Sequence, residues 1–202
     1  MLRWLRLSLP LPLPLSLSLL LPLPLLLPLL LTSCNEDPVP KERAYFRIDL
    51  PEQKFTAWEG ECFNAELPDY SKMTAHKSGE RCWQDWNFSG QRAQVFLTYK
   101  TVSNDLERLI NDAHDFKSKH QSKAVRIKSD RVLRDSSRVF GTVFTVDGDV
   151  ASPMVFYLTD STSRFLYGSL YFNARPNADS LAPVTERLRS DIAHFTQTLE
   201  WR

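Results

Sequence analysis

The sequence predicts an α+β domain in which two main helices pack on a largely antiparallel sheet. Apolar and polar residues alternate in short segments bounded by Gly, Pro, Asp or Ser, which is the pattern of half-buried strands. These segments form two groups, and one stretch with helical spacing follows each group. Hairpin groups separated by single helices are typical of α+β domains, and we expect the two helices to cover one face of the sheet.

The first group of strands begins near residue 44. Ala44, Phe46 and Ile48 alternate with polar residues, which predicts a strand that ends at Pro51. The rest of this group is predicted as a strand at 61–67, a polar loop at 71–80, and a hairpin of 81–88 and 91–100 around Ser89-Gly90.

Two helices are predicted from apolar residues spaced three and four apart. Asn104, with Glu107 three residues later, has the pattern of an N-cap at the start of the first helix. Its apolar stripe consists of Leu106, Leu109, Ile110, Ala113 and Phe116. The last helix starts within 176–180 and has Pro183 in its first turn, where proline is tolerated. Its stripe consists of Leu181, Val184, Leu188, Ile192, Phe195 and Leu199.

The second group of strands lies between these helices. Strands are predicted at 124–133, 137–146, 153–159 and 164–174. Asp147-Gly148-Asp149 predicts a tight turn, and residues 160–162 join the last two strands. This outline is compatible with a PsbP/Mog1-like sandwich, which is an analogy at the level of fold alone.

The N-terminal segment has the features of a bacterial lipoprotein signal peptide. Arg3 and Arg6 give it a positive start, and residues 7–31 contain only Leu, Pro and Ser. Leu31-Thr32-Ser33-Cys34 then places apolar and small residues before a cysteine, which is the pattern that lipidating and cleaving enzymes read. The sequence therefore predicts a signal peptide at 1–33, a lipidated tether at 34–42 and a single domain at 43–202.

A retained transmembrane helix is the alternative for the apolar segment, which is long enough to span a bilayer. Its prolines argue against a solitary span, because each removes a backbone donor that lipid cannot replace. We therefore expect the chain to be held on a lipid bilayer through acylated Cys34, outside the cytoplasm.

Composition and motifs exclude several classes of function. The chain has 25 Lys and Arg against 24 Asp and Glu, so no basic field indicates nucleic-acid binding. Only 6 Gly residues are present, and no P-loop, GxGxxG, GxSxG or HExxH motif occurs. The sequence therefore predicts no catalytic residues, no metal site, no cofactor and no small-molecule substrate.

The other two cysteines, Cys62 and Cys82, are predicted to form a disulfide. An even pair in an exported chain favours a bridge, because the compartment is oxidising. The alternative is two separate buried thiols.

Two sets of residues are candidates for binding, each with a structural alternative. Trp58, Trp83 and Trp86 stack on sugar rings or anchor a partner if they are exposed, and pack around the cysteine pair if they are buried. The densest polar cluster of the second half is a candidate for partner contact, or it caps and turns the chain before the last helix. It consists of Asn173, Arg175, Asn177 and Asp179.

Several ordered segments carry a resemblance to a known family. They lie at 45–52, 62–70, 82–83, 151–153, 156–161, 170–174 and 176–184, and together they span nearly the whole chain after Cys34. On these segments the chain resembles the gliding motility lipoprotein GldD family of the Bacteroidota. The resemblance implies a cell-envelope lipoprotein, facing the periplasm, that supports the gliding machinery and the linked type IX secretion system. It implies other envelope proteins of that machinery as partners, and it carries over no enzymatic residue.

Three hypotheses of function are therefore compared. The first is an assembly or stabilising lipoprotein of the gliding and secretion apparatus. The second is a glycan- or peptidoglycan-binding module that uses Trp58, Trp83 and Trp86. The third is a hydrolase with an unfamiliar site, which requires a cleft containing a titratable group with a strongly shifted pKa.

Overall fold

The structure, a computed structural model, describes residues 50–119 and 123–202. In this part of the chain, ten strands form two antiparallel sheets and are accompanied by two α-helices. The helices are α1 (Leu106–Lys119) and α2 (Ala178–Thr198). The strands are β1 (Phe55–Glu59), β2 (Phe63–Pro68), β3 (Lys72–Ala75), β4 (Gln84–Phe88), β5 (Ala93–Thr101), β6 (Ala124–Arg134), β7 (Val139–Gly148), β8 (Met154–Thr159), β9 (Arg164–Phe172) and β10 (Glu200–Trp201).

The larger sheet has the strand order β3-β4-β5-β9-β8-β7-β6, and the smaller has the order β1-β2-β10. Each pair of neighbouring strands is antiparallel. The predicted hairpins β4–β5 and β8–β9 are both present, with a short 3-10 turn at Ser89–Gln91 in the first. The predicted α+β class, a largely antiparallel sheet with two packed helices, is confirmed.

Helix α2 joins the two sheets through its buried face. The ring of Phe195, which is fully buried, lies 6.0 Å from the ring of Phe63 in the small sheet. The same ring lies 5.1 Å from Trp86 and 6.1 Å from Phe156 in the large sheet. One continuous core therefore connects β2, α2 and the large sheet.

Helix α1 covers the opposite face of the large sheet. Leu109 and Ala113 of this helix pack in a second cluster with Phe144, Tyr157 and Phe165. The expectation that both helices cover one face was wrong. All six residues of β8 are buried, because alternate side chains of this strand point to α2 and to α1. Continuous apolar runs such as β8 are typical of strands covered on both faces.

Three short strands were not predicted. Residues 72–75, expected as a loop, form β3, and β1 and β10 were not expected at all. Strand β3 lies at the edge of the large sheet and places only Met73 against the core, so it lacks a regular apolar alternation. Strand β10 is two residues long, which is too short for any periodicity to be read.

Both predicted helix starts need correction. Asn104 is not the N-cap of α1: it has φ of 60°, in the left-handed region, and the helix begins two residues later, at Leu106. Pro183 is not in the first turn of α2, because Asn177 caps this helix and Ala178 is its first residue. The predicted strand 44–48, Cys34 and the signal peptide lie outside the described residues, as does the side chain of Phe116.

Asp160 organises the turn between β8 and β9. Its carboxylate accepts the backbone N–H groups of Thr162, Ser163 and Arg164 at 2.8–2.9 Å and the Arg164 guanidinium at 3.0 Å. Burial raises the pKa of this carboxyl, but these N–H donors and the Ser163 hydroxyl outweigh burial and hold the pKa well below its usual value.

The turn is therefore expected to make stability depend on pH. Because the pKa of Asp160 is lower in the folded state, its contribution is fully present above about pH 4 and is lost as the pH falls further. We expect Asp160→Asn to lower the free energy of unfolding by roughly 1–3 kcal/mol at pH 7 and by less at pH 3. Urea unfolding of both proteins at the two pH values measures this difference. An equal loss at both pH values would contradict it.

Candidate functional site

The candidate site lies at the start of the described part of the chain. We call residues 50–54 the tether junction. Leu50 packs against the core, and the Pro51 carbonyl accepts a hydrogen bond from the Arg187 guanidinium of α2. The junction is therefore fastened to the helix that joins both sheets.

A buried carboxylate completes the attachment. Asp191 of α2 is fully buried, and its two oxygens accept the Gln53 side-chain amide at 2.8 Å and the Tyr70 hydroxyl at 2.6 Å. Burial raises the pKa of Asp191, and the hydrogen bonds from Tyr70 and Gln53 oppose this rise. Burial and the neighbouring Asp191 raise the pKa of the Tyr70 hydroxyl. Asp191 thus ties the tether junction and the turn after β2 to one point of α2.

His194 makes a further link between α2 and the small sheet. Its ring stacks on Phe55 of β1 at 3.7 Å, and its Nε2 lies 2.7 Å from a carboxylate oxygen of Glu66 in β2. These are the contacts of a packing residue.

The hydrogen bonds from Gln53 and Tyr70 to Asp191 are expected to depend on the size of the Asp191 side chain and on its oxygen acceptors rather than on its negative charge. Asp191→Asn keeps an oxygen acceptor of the same size and should cost less than 1 kcal/mol in unfolding free energy. Asp191→Ala leaves the Tyr70 hydroxyl and the Gln53 amide without their acceptor and should cost roughly 2–3 kcal/mol. Denaturant unfolding of the two variants tests this order. Equal losses would contradict it and show that the junction needs the negative charge or both carboxylate oxygens.

The predicted disulfide between Cys62 and Cys82 is present. Their Cα atoms are 6.0 Å apart, and both residues are buried. Cys62 directly precedes β2 in the small sheet, and Cys82 lies just before β4 in the large sheet. The bridge therefore joins the two sheets covalently, in addition to their joint packing on α2.

The four polar residues predicted to contact a partner lie on one exposed stretch before and at the start of α2. Asn177 caps the helix, since its side-chain oxygen accepts the backbone N–H of Ser180 at 3.1 Å. The Asp149 carboxylate accepts the N–H of Ala178 at 2.7 Å. Asn173, Arg175 and Asp179 are also exposed. The structure thus gives Asn177 a local capping role, while contact with a partner stays a prediction for the stretch as a whole.

The three tryptophans do not share an exposed surface. Trp86 is fully buried and stacks near Phe88 and Phe195, so it is not available to a sugar. Trp58 and Trp83 are half-buried, and the Trp83 indole N–H donates to the carbonyl of Tyr99 at 2.9 Å. Of the two roles considered for the tryptophans, packing in the core therefore applies to Trp86, and binding of a sugar or a partner does not.

Asp147 acts as an ion-pair partner. One carboxylate oxygen lies 2.9 Å from Arg126 of β6 and the other lies 2.9 Å from Arg189 of α2. Asp147 and Gly148 are the last residues of β7 and pair with β6, and the connection to β8 occupies residues 149–153, so the tight turn predicted at 147–149 was wrong in its position. No group of three or more His, Cys, Asp or Glu residues placed to hold a metal ion occurs within residues 50–119 and 123–202.

Neither helix in the described ranges is both long and apolar enough to cross a membrane.

The fold and the tether junction define an α+β domain in which Pro51 and Gln53 are bonded to the central helix α2. The chain belongs to the gliding motility lipoprotein GldD family, whose family model matches residues 35–201. Membership in a lipoprotein family implies lipid anchoring and a membrane-anchored place in the cell envelope.

The fold is similar to that of a solved protein structure. It is the solution structure of the cyanobacterial PsbP, CyanoP, from Synechocystis, which shares 6% sequence identity with a TM-score of 0.45. The match covers 78% of this chain and 98% of that chain. No curated protein matches the chain.

Proposed function

We propose that this chain is a non-catalytic lipoprotein that supports the assembly or stability of the gliding motility and type IX secretion machinery. The observation that carries the proposal is the family match over residues 35–201. The partners proposed are other envelope proteins of this machinery. The proposed location is a membrane surface that faces the periplasm.

The proposed anchor is acylated Cys34, after removal of residues 1–33. One acyl chain holds a protein to a bilayer only marginally, whereas two or more hold it firmly. A diacylglyceryl group on Cys34 therefore gives a lasting attachment, and residues 34–42 form the tether of the domain at 43–202.

The contacts at the tether junction support a role in which the anchored domain resists displacement. Pro51 and Gln53 are bonded to Arg187 and Asp191 of α2. Helix α2 in turn packs against both sheets through its buried face. This arrangement suits a domain that holds partners near a membrane.

The proposed partner contact is the exposed stretch with Asn173, Arg175, Asn177 and Asp179. It borders a groove of about 260 Å³ lined by apolar residues that include Val150, Phe172 and Leu181. Apolar surface beside charged side chains is typical of the core and rim of a protein interface.

Removal of the proposed anchor is expected to abolish function in the cell. A deletion strain that expresses Cys34→Ala should lose spreading motility and secretion, and the protein should leave the membrane fraction. Ser33→Ala is the matched control, because it keeps a small residue before the cysteine. Motility, secretion and membrane fractionation are measured together. Full rescue by a Cys34→Ala protein that stays in the membrane fraction would overturn the proposal.

A further inference from the structure

Strand β6 forms an open edge of the large sheet. Its inner side pairs with β7, and no strand of the described ranges pairs with its outer side. Among the residues whose exposure the structure describes, the two most exposed large hydrophobic ones lie on this strand: Val125 (87% exposed) and Leu133 (69% exposed). Val125 lies at an irregularity of the β6–β7 pairing, at one end of the strand, and Leu133 lies near the other end.

The residues of this edge complement those of a second β6 in the antiparallel direction. Ser129 is the midpoint of β6, so a twofold axis at Ser129 lets the regular stretch from Arg126 to Val132 pair with itself. This register places Lys128 opposite Asp130 of the other copy, twice. The end of the strand that carries Val125 then lies next to the end of the other copy that carries Leu133. Opposite charges and apolar residues that face each other across strands stabilise a sheet.

Neighbouring registers place like charges opposite each other. In an antiparallel ladder, the backbone N–H and C=O groups of two directly opposite residues either both point toward the other strand or both point away from it. This direction alternates along each strand, so a residue of one copy cannot lie opposite its own sequence neighbour in the other copy. A symmetric pair of strands must therefore place one residue opposite the same residue of the other copy. An axis at Lys128, at Asp130 or at Arg131 sets that charge against its own copy. An axis at Ile127 sets Arg126 against Lys128. Charged side chains normally protect an edge from pairing, and here they favour one register over its neighbours.

We infer that β6 pairs with β6 of a second copy of this chain, with Ser129 on the twofold axis, to join two large sheets into one. The strand that pairs with this edge is assigned to a second copy of the chain because the charges of Lys128 and Asp130 are complementary to those of the same strand. Two chains held on one membrane have a high effective concentration. Pairing of two β6 edges is therefore enough to hold a dimer together on the membrane, although the same pairing would be too weak in solution. This inference concerns assembly of the chain itself and does not depend on the proposed partners.

Cysteine cross-linking at the axis tests the register. Directly opposite residues have Cα atoms about 5 Å apart, within the range of a disulfide. Residues at position 131 of the two copies would be roughly 14 Å apart, from the rise per residue. Full-length Ser129→Cys, oxidised in native membranes, is therefore expected to give a homodimer on a non-reducing gel, and Arg131→Cys is not.

The parent protein, oxidised in parallel, accounts for dimers formed through its own cysteines. Because Ser129 and Arg131 are both exposed, neither substitution is expected to unfold the domain. Absence of a dimer with Ser129→Cys, equal yields from the two positions, or a cross-link to a different protein would each overturn the inference.

Charge reversal within the Ser129→Cys protein tests the complementarity. Lys128→Asp and Asp130→Lys each place like charges opposite each other and should lower the yield of dimer several-fold. The combination of both changes restores opposite charges and should restore the yield. Unchanged yields in the single variants, or no recovery in the combination, would contradict the pairing.

Discussion

Replacement of Phe195 by alanine is expected to lower the free energy of unfolding by about 4 kcal/mol. The ring is fully buried on α2 and contacts Phe63, Trp86 and Phe156. Truncation leaves a cavity at the point where both sheets meet the helix, and large-to-small changes cost most where the surroundings cannot collapse.

Urea unfolding followed by circular dichroism measures this loss. Phe195→Leu is the matched control, because it fills much of the same volume and should cost about half as much or less. The small and large sheets should unfold together in the parent protein, since Phe195 connects them. A loss below about 1 kcal/mol for the alanine variant would show that α2 is not the common core of the two sheets.

Removal of the disulfide is expected to lower the free energy of unfolding by about 3 kcal/mol. Cys62 and Cys82 are separated by 20 residues, and the bridge lowers the entropy of the unfolded chain by closing this loop. The variant that replaces both cysteines with alanine should still fold, because α2 also holds the sheets together through Phe195.

The comparison is made by thermal or urea unfolding with and without a reductant. The parent protein should lose about the same free energy on reduction as it does through substitution, and the double variant should not respond to reductant. A reductant-sensitive double variant, or a parent protein with unchanged stability after reduction, would contradict a stabilising bridge between the sheets.

Much of the fold could be predicted because its long elements have regular patterns. The alternation of Ala93, Val95 and Leu97 corresponds to β5, and the stripe from Val184 to Phe195 corresponds to the buried face of α2. The placement of α1 could not be predicted from its own sequence. It depends on both faces of β8 being apolar. An apolar run of this kind indicates that both faces are covered, but it does not say which element covers each face.

The tether junction was not predicted, although one residue of it carried a signal. Asp191 lies between Leu188 and Ile192 at helical spacing, so the stripe of α2 places a carboxylate on the buried face. A buried carboxylate requires partners, which the sequence could have indicated. Their identity could not be predicted, because Gln53 and Tyr70 are more than 120 residues away and are brought there by the packing of the small sheet.

Cross-linking and purification of the tagged protein from native membranes tests the central claim most directly. The anchored parent protein should recover components of the gliding or secretion machinery, and Cys34→Ala should lose them. Reversal of the charges at Arg175 and Asp179 should weaken recovery without loss of the membrane location. Recovery of peptidoglycan fragments alone, or of the same partners without the anchor, would contradict the account of a membrane-anchored assembly lipoprotein.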